Sequence, residues 1–467
     1  MSAKLIAGAL CAGLCLPAMA QTVAVVAGRD AVAVHDLASG AERARFATPG
    51  GTSDIQATPA GVAIVNHTAA NQLVLIDAAN AREIARLPSS SMGGTRPVHA
   101  YLTPVLDGAQ YFVALNDGVA ASTPPGSRPA DSTMLLVNIV PGTPGYLQPA
   151  GEVRLGLGHH KAGFSIRRPR VAVSNIADCA DVITVYDFTN PREIVAVKTF
   201  TAADFGLDGQ GVMRSCDAAG RQGVALSPHG TGTSAATGEV YHFMTGTGQI
   251  AIIDIDAEIP TLKVLQTSGV GGNAVKDIPG GAFMVAAQRT PRELGLRGGG
   301  QVCQVGQIAM LDAAARSVAA QVPILHDGPD CTRSLAGTPA AYTMPAYPIT
   351  AADGKTLFIQ LGTIAPPSGQ TAESTMTAVF DISNPRRPVQ LPSIPVGRGS
   401  GARENALSGD GRLLLTPDTL DNSVSVIGVA ERRVVGRFAT VAAPGRLVTF
   451  GPEGPSKPVG PASKEAK

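Results

Sequence analysis

A short apolar run ending in Asp recurs along this chain: Ala33-Val34-His35-Asp36, Leu75-Ile76-Asp77, Val185-Tyr186-Asp187, Ile252-Ile253-Asp254, Met310-Leu311-Asp312 and Val379-Phe380-Asp381. Leu136-Val137-Asn138 and Val426-Ile427-Gly428 are variants that fill the gaps. The runs stand roughly 40 to 70 residues apart, the spacing of propeller blades with insertions. Around each run the order repeats. A strand ends in a Gly/Asp turn, as at Ala406-Leu407-Ser408-Gly409-Asp410-Gly411, and a second strand follows, as at Leu413-Leu414-Leu415. Then come the Asp-ended strand and a more polar fourth, such as Arg433-Val434-Val435-Gly436-Arg437. Alternating apolar residues between Gly, Asp and Asn turns are a hairpin signature. Four antiparallel strands, repeated, make a β-propeller.

Counting the units predicts an all-β fold, a single eight-bladed propeller, with seven blades as the alternative. The first unit lacks an innermost strand, because Thr22-Val23-Ala24-Val25-Val26 opens it directly. The last apolar segment, Arg446-Leu447-Val448-Thr449-Phe450-Gly451, has the innermost-strand pattern and is expected to complete blade one. Such a closure removes a sheet edge. The expected organisation is a signal peptide over 1–20, one propeller domain over 21–451 and a loose Pro- and Lys-rich tail over 452–467. Insertions at Val119 to Ser132, Thr201 to Gly223 and His326 to Tyr342 read as loops.

Lys4, the apolar stretch Leu5 to Leu16 and the small-x-small site Ala18-Met19-Ala20 form a secretory signal, with Gln21 as the first mature residue. That run is too short to span a bilayer, and nothing later is longer. The chain therefore reads as exported and periplasmic, without a membrane span, and as a monomer. A formal net charge of +1, with no basic stripe, argues against nucleic acid. There is no tryptophan, which excludes a tryptophan-derived cofactor.

Of six cysteines, Cys11 and Cys15 leave with the signal. An even remainder in an exported chain favours disulfides, paired by proximity as Cys179 with Cys216 and Cys303 with Cys331. A thiolate metal site competes with that reading, although no C-x-x-C is present. The absence of C-x-x-C-H argues against covalent haem.

The strings Arg96-Pro97-Val98-His99, Gly158-His159-His160-Lys161 and Ser227-Pro228-His229-Gly230 each stand at the start of an innermost strand, in three successive units. Side chains at such positions crowd one mouth of the central channel. Three neutral imidazoles suit zinc at about 2.0–2.1 Å, with water or a carboxylate as fourth ligand; copper and nickel would also accept them. Asp54 and Glu404 are candidate fourth ligands, and His67 an auxiliary one. The competing reading has each histidine bonded to a backbone carbonyl or water. His35 and His242 lie inside strands and read as structural, and His326 as solvated. No G-x-S-x-G elbow is present, Gly298-Gly299-Gly300 has no following helix to cradle phosphate, and the acidic residues are scattered rather than paired.

In Arg96-Pro97-Val98-His99, in His159-His160 before a strand and in His229-Gly230 before Ala235-Ala236-Thr237-Gly238, with the Cys216 region ahead, the chain resembles periplasmic zinc metallochaperones of the AztD type. The repeats resemble the wider YVTN-like propellers. The first resemblance implies a zinc site at His99, His159, His160 and His229, and delivery of zinc to the solute-binding protein of an ABC transporter. One departure stands out: such chaperones often carry a His/Asp-rich loop, whereas Val119 to Ser132 has no His and one Asp. The alternatives are a hydrolase or lactonase with a channel-bound divalent ion, and a metal-free scaffold.

Overall fold

The computed structural model describes residues 22–118, 132–156, 159–175, 181–206, 226, 228–289, 303–326, 343–363, 376–399, 405–452 and 454–455. They form eight antiparallel sheets of the expected kind. Blades two to eight each run from an inner to an outer strand in chain order. Their inner strands are Ile55–Ala57, Pro97–Leu102, His159–Phe164, Pro228–Thr233, Val270–Asp277, Thr343–Thr350 and Ala406–Leu407.

Blade one is closed by the other end of the chain. Val23–Ala27 pairs with Ala31–Asp36 on one side and with Arg446–Gly451 on the other, with Val25 opposite Val448. The inner strand of blade one is thus the last long strand, as its apolar pattern predicts. The sheet also continues past Gly451, because Gly454–Pro455 folds back onto Phe450 and Gly451. The signal segment, most of the three insertions, Glu404 and the residues beyond 455 lie outside the described residues. So do Cys179, Cys216 and Cys331, and of Cys303 only the backbone is described.

Packing explains why the second and third strands are unbroken apolar runs rather than alternating ones. Each strand has two faces, and in a ring both are buried. Val23, Val25 and Ala27 pack with Ile55, Val65 and Val74 of blade two. Their neighbours Ala24 and Val26 pack with Leu415 and Val424 of blade eight. The remaining inter-blade cores join two to three, three to four, and so on to seven and eight. Every blade is therefore held by its two neighbours, and the ring has no free end.

The Asp that ends the third strand in six of the eight blades closes the turn towards the fourth. Asp36 accepts the Ser39 N–H at 2.9 Å, Asp77 that of Asn80 at 3.0 Å and Asp312 that of Ala315 at 2.9 Å. Asn138 does the same for Val140 in blade three. These are Asx turns, in which the side chain mimics a backbone acceptor. In blades one, two, three, six and eight the residue four after the end of the third strand is left-handed. Gly40 stands there in blade one (φ +73°), but Ala81, Arg316 and Arg432 stand there in blades two, six and eight. The turn geometry, not the residue, sets that conformation.

His35 and His242 are core histidines, as their place in strands predicts. His35 Nε2 lies 2.8 Å from Thr440 Oγ1 and Nδ1 lies 3.2 Å from the Gly40 carbonyl. His242 is fully buried in blade five, and burial pushes its imidazole down to about 3. The unfolded chain would take up that proton near pH 6.5. A depressed histidine pKa stabilises the fold fully above 6.5, and the benefit drains as pH falls from 6.5 towards 3. His242→Leu is expected to flatten the fall of urea-unfolding stability across that window by up to about 1.4 kcal/mol per pH unit. An unchanged pH profile would show that other groups carry it.

Candidate site on the propeller axis

The three histidine-bearing strands share one irregularity. In blade three the pairing register slips between Pro97 and His99, in blade four between His159 and Lys161, and in blade five between Pro228 and Gly230. Each slip is a one-residue bulge, which re-aims a side chain at the strand's start. Aligned on the bulge, the strands read Pro97-Val98-His99-Ala100, His159-His160-Lys161-Ala162 and Pro228-His229-Gly230-Thr231. His160 and His229 therefore hold the same position in adjacent blades. His99 sits one residue further in, at the position that Lys161 holds in blade four. Of His159 and His160 only the backbone is described. Among the described residues, no three of His, Cys, Asp and Glu gather closely enough to hold a metal ion.

His99 itself is set among charges. It is 4% exposed, and its Nδ1 lies 3.3 Å from Lys161 Nζ and 3.8 Å from Asp54 Oδ2. An ammonium has no lone pair, so in that contact Lys161 donates and Nδ1 accepts. The imidazole is then neutral and carries its proton on Nε2. Lys161 Nζ is also 3.5 Å from the Tyr347 hydroxyl and 5.6 Å from the centre of that ring. Arg446 Cζ lies 5.7 Å from the same ring centre. Two cations thus share one tyrosine face region, a favourable arrangement for each.

Asp54, the sequence candidate for a fourth metal ligand, is engaged elsewhere. Its Oδ1 accepts the Ile55 N–H at 2.8 Å and its Oδ2 the Ala100 N–H at 2.8 Å. Arg446 from blade one forms a buried ion pair with Oδ1. Gln56 donates to the Ala100 carbonyl at 2.9 Å, so Asp54 and Gln56 hold both backbone polar groups of one blade-three residue from blade two. His67 is 2% exposed; its Nε2 lies 2.9 Å from the Pro49 carbonyl and donates to it. Its Nδ1 is buried with no hydrogen-bond partner among the described residues.

These groups line a small cavity of about 20 Å³ with contributions from seven blades, among them Asp54, His99, Lys161, Thr231, Lys276, Tyr347 and Arg446. It holds about one water-sized occupant. Nearby, burial holds the Asp117 carboxyl well above the usual carboxylate range, against the opposing pull of Arg96 and Lys161. Sequence reasoning missed Lys161, Lys276 and Arg446. Their one signal was a cationic residue inside an otherwise apolar or small-residue inner strand.

No family model matches the sequence, and no curated protein matches it. Many solved structures share the fold. Apo AztD from Citrobacter koseri is 11% identical, with a TM-score of 0.55 over 94% of this chain and 99% of that one. A putative 6-phosphogluconolactonase from Bacteroides uniformis is 14% identical, with a TM-score of 0.52 over 91% and 99%. The dihydro-heme d1 dehydrogenase NirN is 13% identical, with a TM-score of 0.56 over 92% and 75%. At such identity these proteins establish the propeller fold and nothing finer. Among the described residues, no helix is long and apolar enough to cross a membrane.

Proposed function

We propose that this chain is an exported, monomeric zinc-binding propeller rather than an enzyme. It would hold zinc at the channel mouth through His160 and His229, with His159 and His99, and pass it to the solute-binding protein of an ABC transporter. The observation that carries the reading is the shared bulge, which puts His160 and His229 at one position of neighbouring inner strands. The fold likeness to AztD is consistent with it. Lys161, Lys276 and Arg446 beneath the mouth would repel a divalent cation. Zinc would then enter and leave by the same side, which suits handover to a docked partner. A propeller lactonase is the second reading, supported by the likeness to putative 6-phosphogluconolactonases. The described axial cavity has room for a water and not for a sugar, which weighs against it.

Equilibrium dialysis against zinc tests the proposal. Retention of one zinc per chain at neutral pH is expected, weakened at least tenfold by His160→Ala and by His229→Ala. Zinc needs neutral imidazoles, so affinity should fall as pH drops below about 6.5. No retained zinc, or unchanged affinity in both variants, would refute it.

A further inference from the structure

We propose that a groove between blades seven and eight, on the face opposite the histidines, is the docking site for the chain's own Pro- and Lys-rich segment 456–467. The inference goes beyond the zinc reading and does not depend on it.

The groove has a volume of about 670 Å³. Ala352 and Asp353 come to it from the turn after the inner strand of blade seven, Leu413 from the second strand of blade eight, and Val429 and Glu431 from that blade's outer turn. Val435 of the outer strand, 43% exposed, completes the apolar floor. Blade eight ends its third strand in Gly428, where six blades have Asp. With no side chain there, the Glu431 carboxylate folds over the glycine, so closely that a Cβ would collide with it. Charge selects the occupant. Arg412 is ion-paired with Asp410, and the Arg432 charge acts on Asp381. Asp353 and Glu431 have no ion pair among the described residues, so the rim is acidic. Segment 456–467 carries Lys457, Lys464 and Lys467 against Glu465, and Pro458, Val459, Pro461 and Ala462 lie between the first two lysines. Small apolar residues between lysines complement an apolar floor between carboxylates. Reach allows the docking. The inner strand of blade one ends at Gly451 on this face, beside blade eight, and Gly454–Pro455 turns back along its channel edge at that rim. The 12 residues that follow span up to about 40 Å, twice the length of a six-residue strand, and Gly460 permits a turn outward. The second groove of this face, about 400 Å³ between blades three and four, sets one carboxylate, Asp107, against Arg192 and lies further round the ring.

Carbodiimide cross-linking of the metal-free full chain, read by peptide mass mapping, tests this. The reagent joins a lysine amine to a carboxylate in contact with it. Amides from Lys457, Lys464 or Lys467 to Asp353 or Glu431 are expected, in excess over those to Asp107 and the other exposed carboxylates. Val435→Lys adds a like charge at an exposed position that the fold tolerates, and should cut their yield about fivefold. Raising salt from about 0.05 to 0.5 M should lower it similarly. In an equal mixture of isotopically light and heavy protein, each amide should join peptides of one label. Lysines of the segment joined evenly to carboxylates around the molecule, or a yield unchanged in Val435→Lys, would overturn the proposal. Mixed-label amides would overturn it too, since they mark a second copy as the occupant.

Discussion

Ending the chain at Pro444 is expected to leave a protein that does not fold. The truncation removes Arg446–Gly451, the inner strand of blade one. Val23–Ala27 would then be a bare edge facing the channel, with its hydrogen-bonding groups unpaired. Two cores open at once, because Val448 and Phe450 pack against blade two and Leu447 against blade eight. Burying three such side chains is worth about 5–8 kcal/mol. A typical domain has about 5–15 kcal/mol in all. A chain ending at Pro455 keeps the strand and its fold-back pair, and should melt within about 2 °C of the full chain. Circular dichroism melts and soluble yield of the two truncations decide this. A peptide spanning Gly445 to Pro455, added in trans, should restore cooperative melting to the shorter chain by strand addition. Retention of a native melt by the chain ending at Pro444 would show that the ring does not need this closure.

The closure was legible in the sequence because it rests on pattern alone. An apolar strand left over at the C-terminus and a missing strand at the N-terminus have one economical solution. The Asp-ended runs were legible for a similar reason: a carboxylate at a strand's end has a local job in the next turn, so sequence neighbours suffice to explain it. The axis was legible only in part. His99 and Asp54 line the axial cavity, but the position of each side chain depends on the bulge. A one-residue slip moves a side chain to the other face, and no residue in Pro97-Val98-His99 announces where the slip occurs. That is why His99 aligns with Lys161 rather than with His160. Arg446 was illegible as a partner of Asp54, since only the closed ring brings the last long strand beside the inner strand of blade two. A charged residue at the head of an apolar strand is ordinarily a strand-end cap facing water.

Arg446→Met is expected to destabilise the fold by about 3–5 kcal/mol, the cost of leaving one partner of a buried pair uncompensated. Asp54 is 2% exposed and cannot turn to water without breaking its bonds to Ile55 and Ala100. Methionine preserves most of the stem volume, so the loss measures charge rather than a cavity. Asp54→Asn with Arg446→Met removes both charges, and an asparagine carbonyl can still accept one backbone N–H. The double variant should therefore recover at least about half of the single variant's loss, a positive coupling in the double-mutant cycle. Urea midpoints at an unchanged slope read this directly. If the double variant proves as unstable as the sum of the singles, Arg446 acts by packing on Tyr347 rather than through Asp54. The axis would then be held by its tyrosine, and the ion pair between the closing strand and blade two would be incidental to closure.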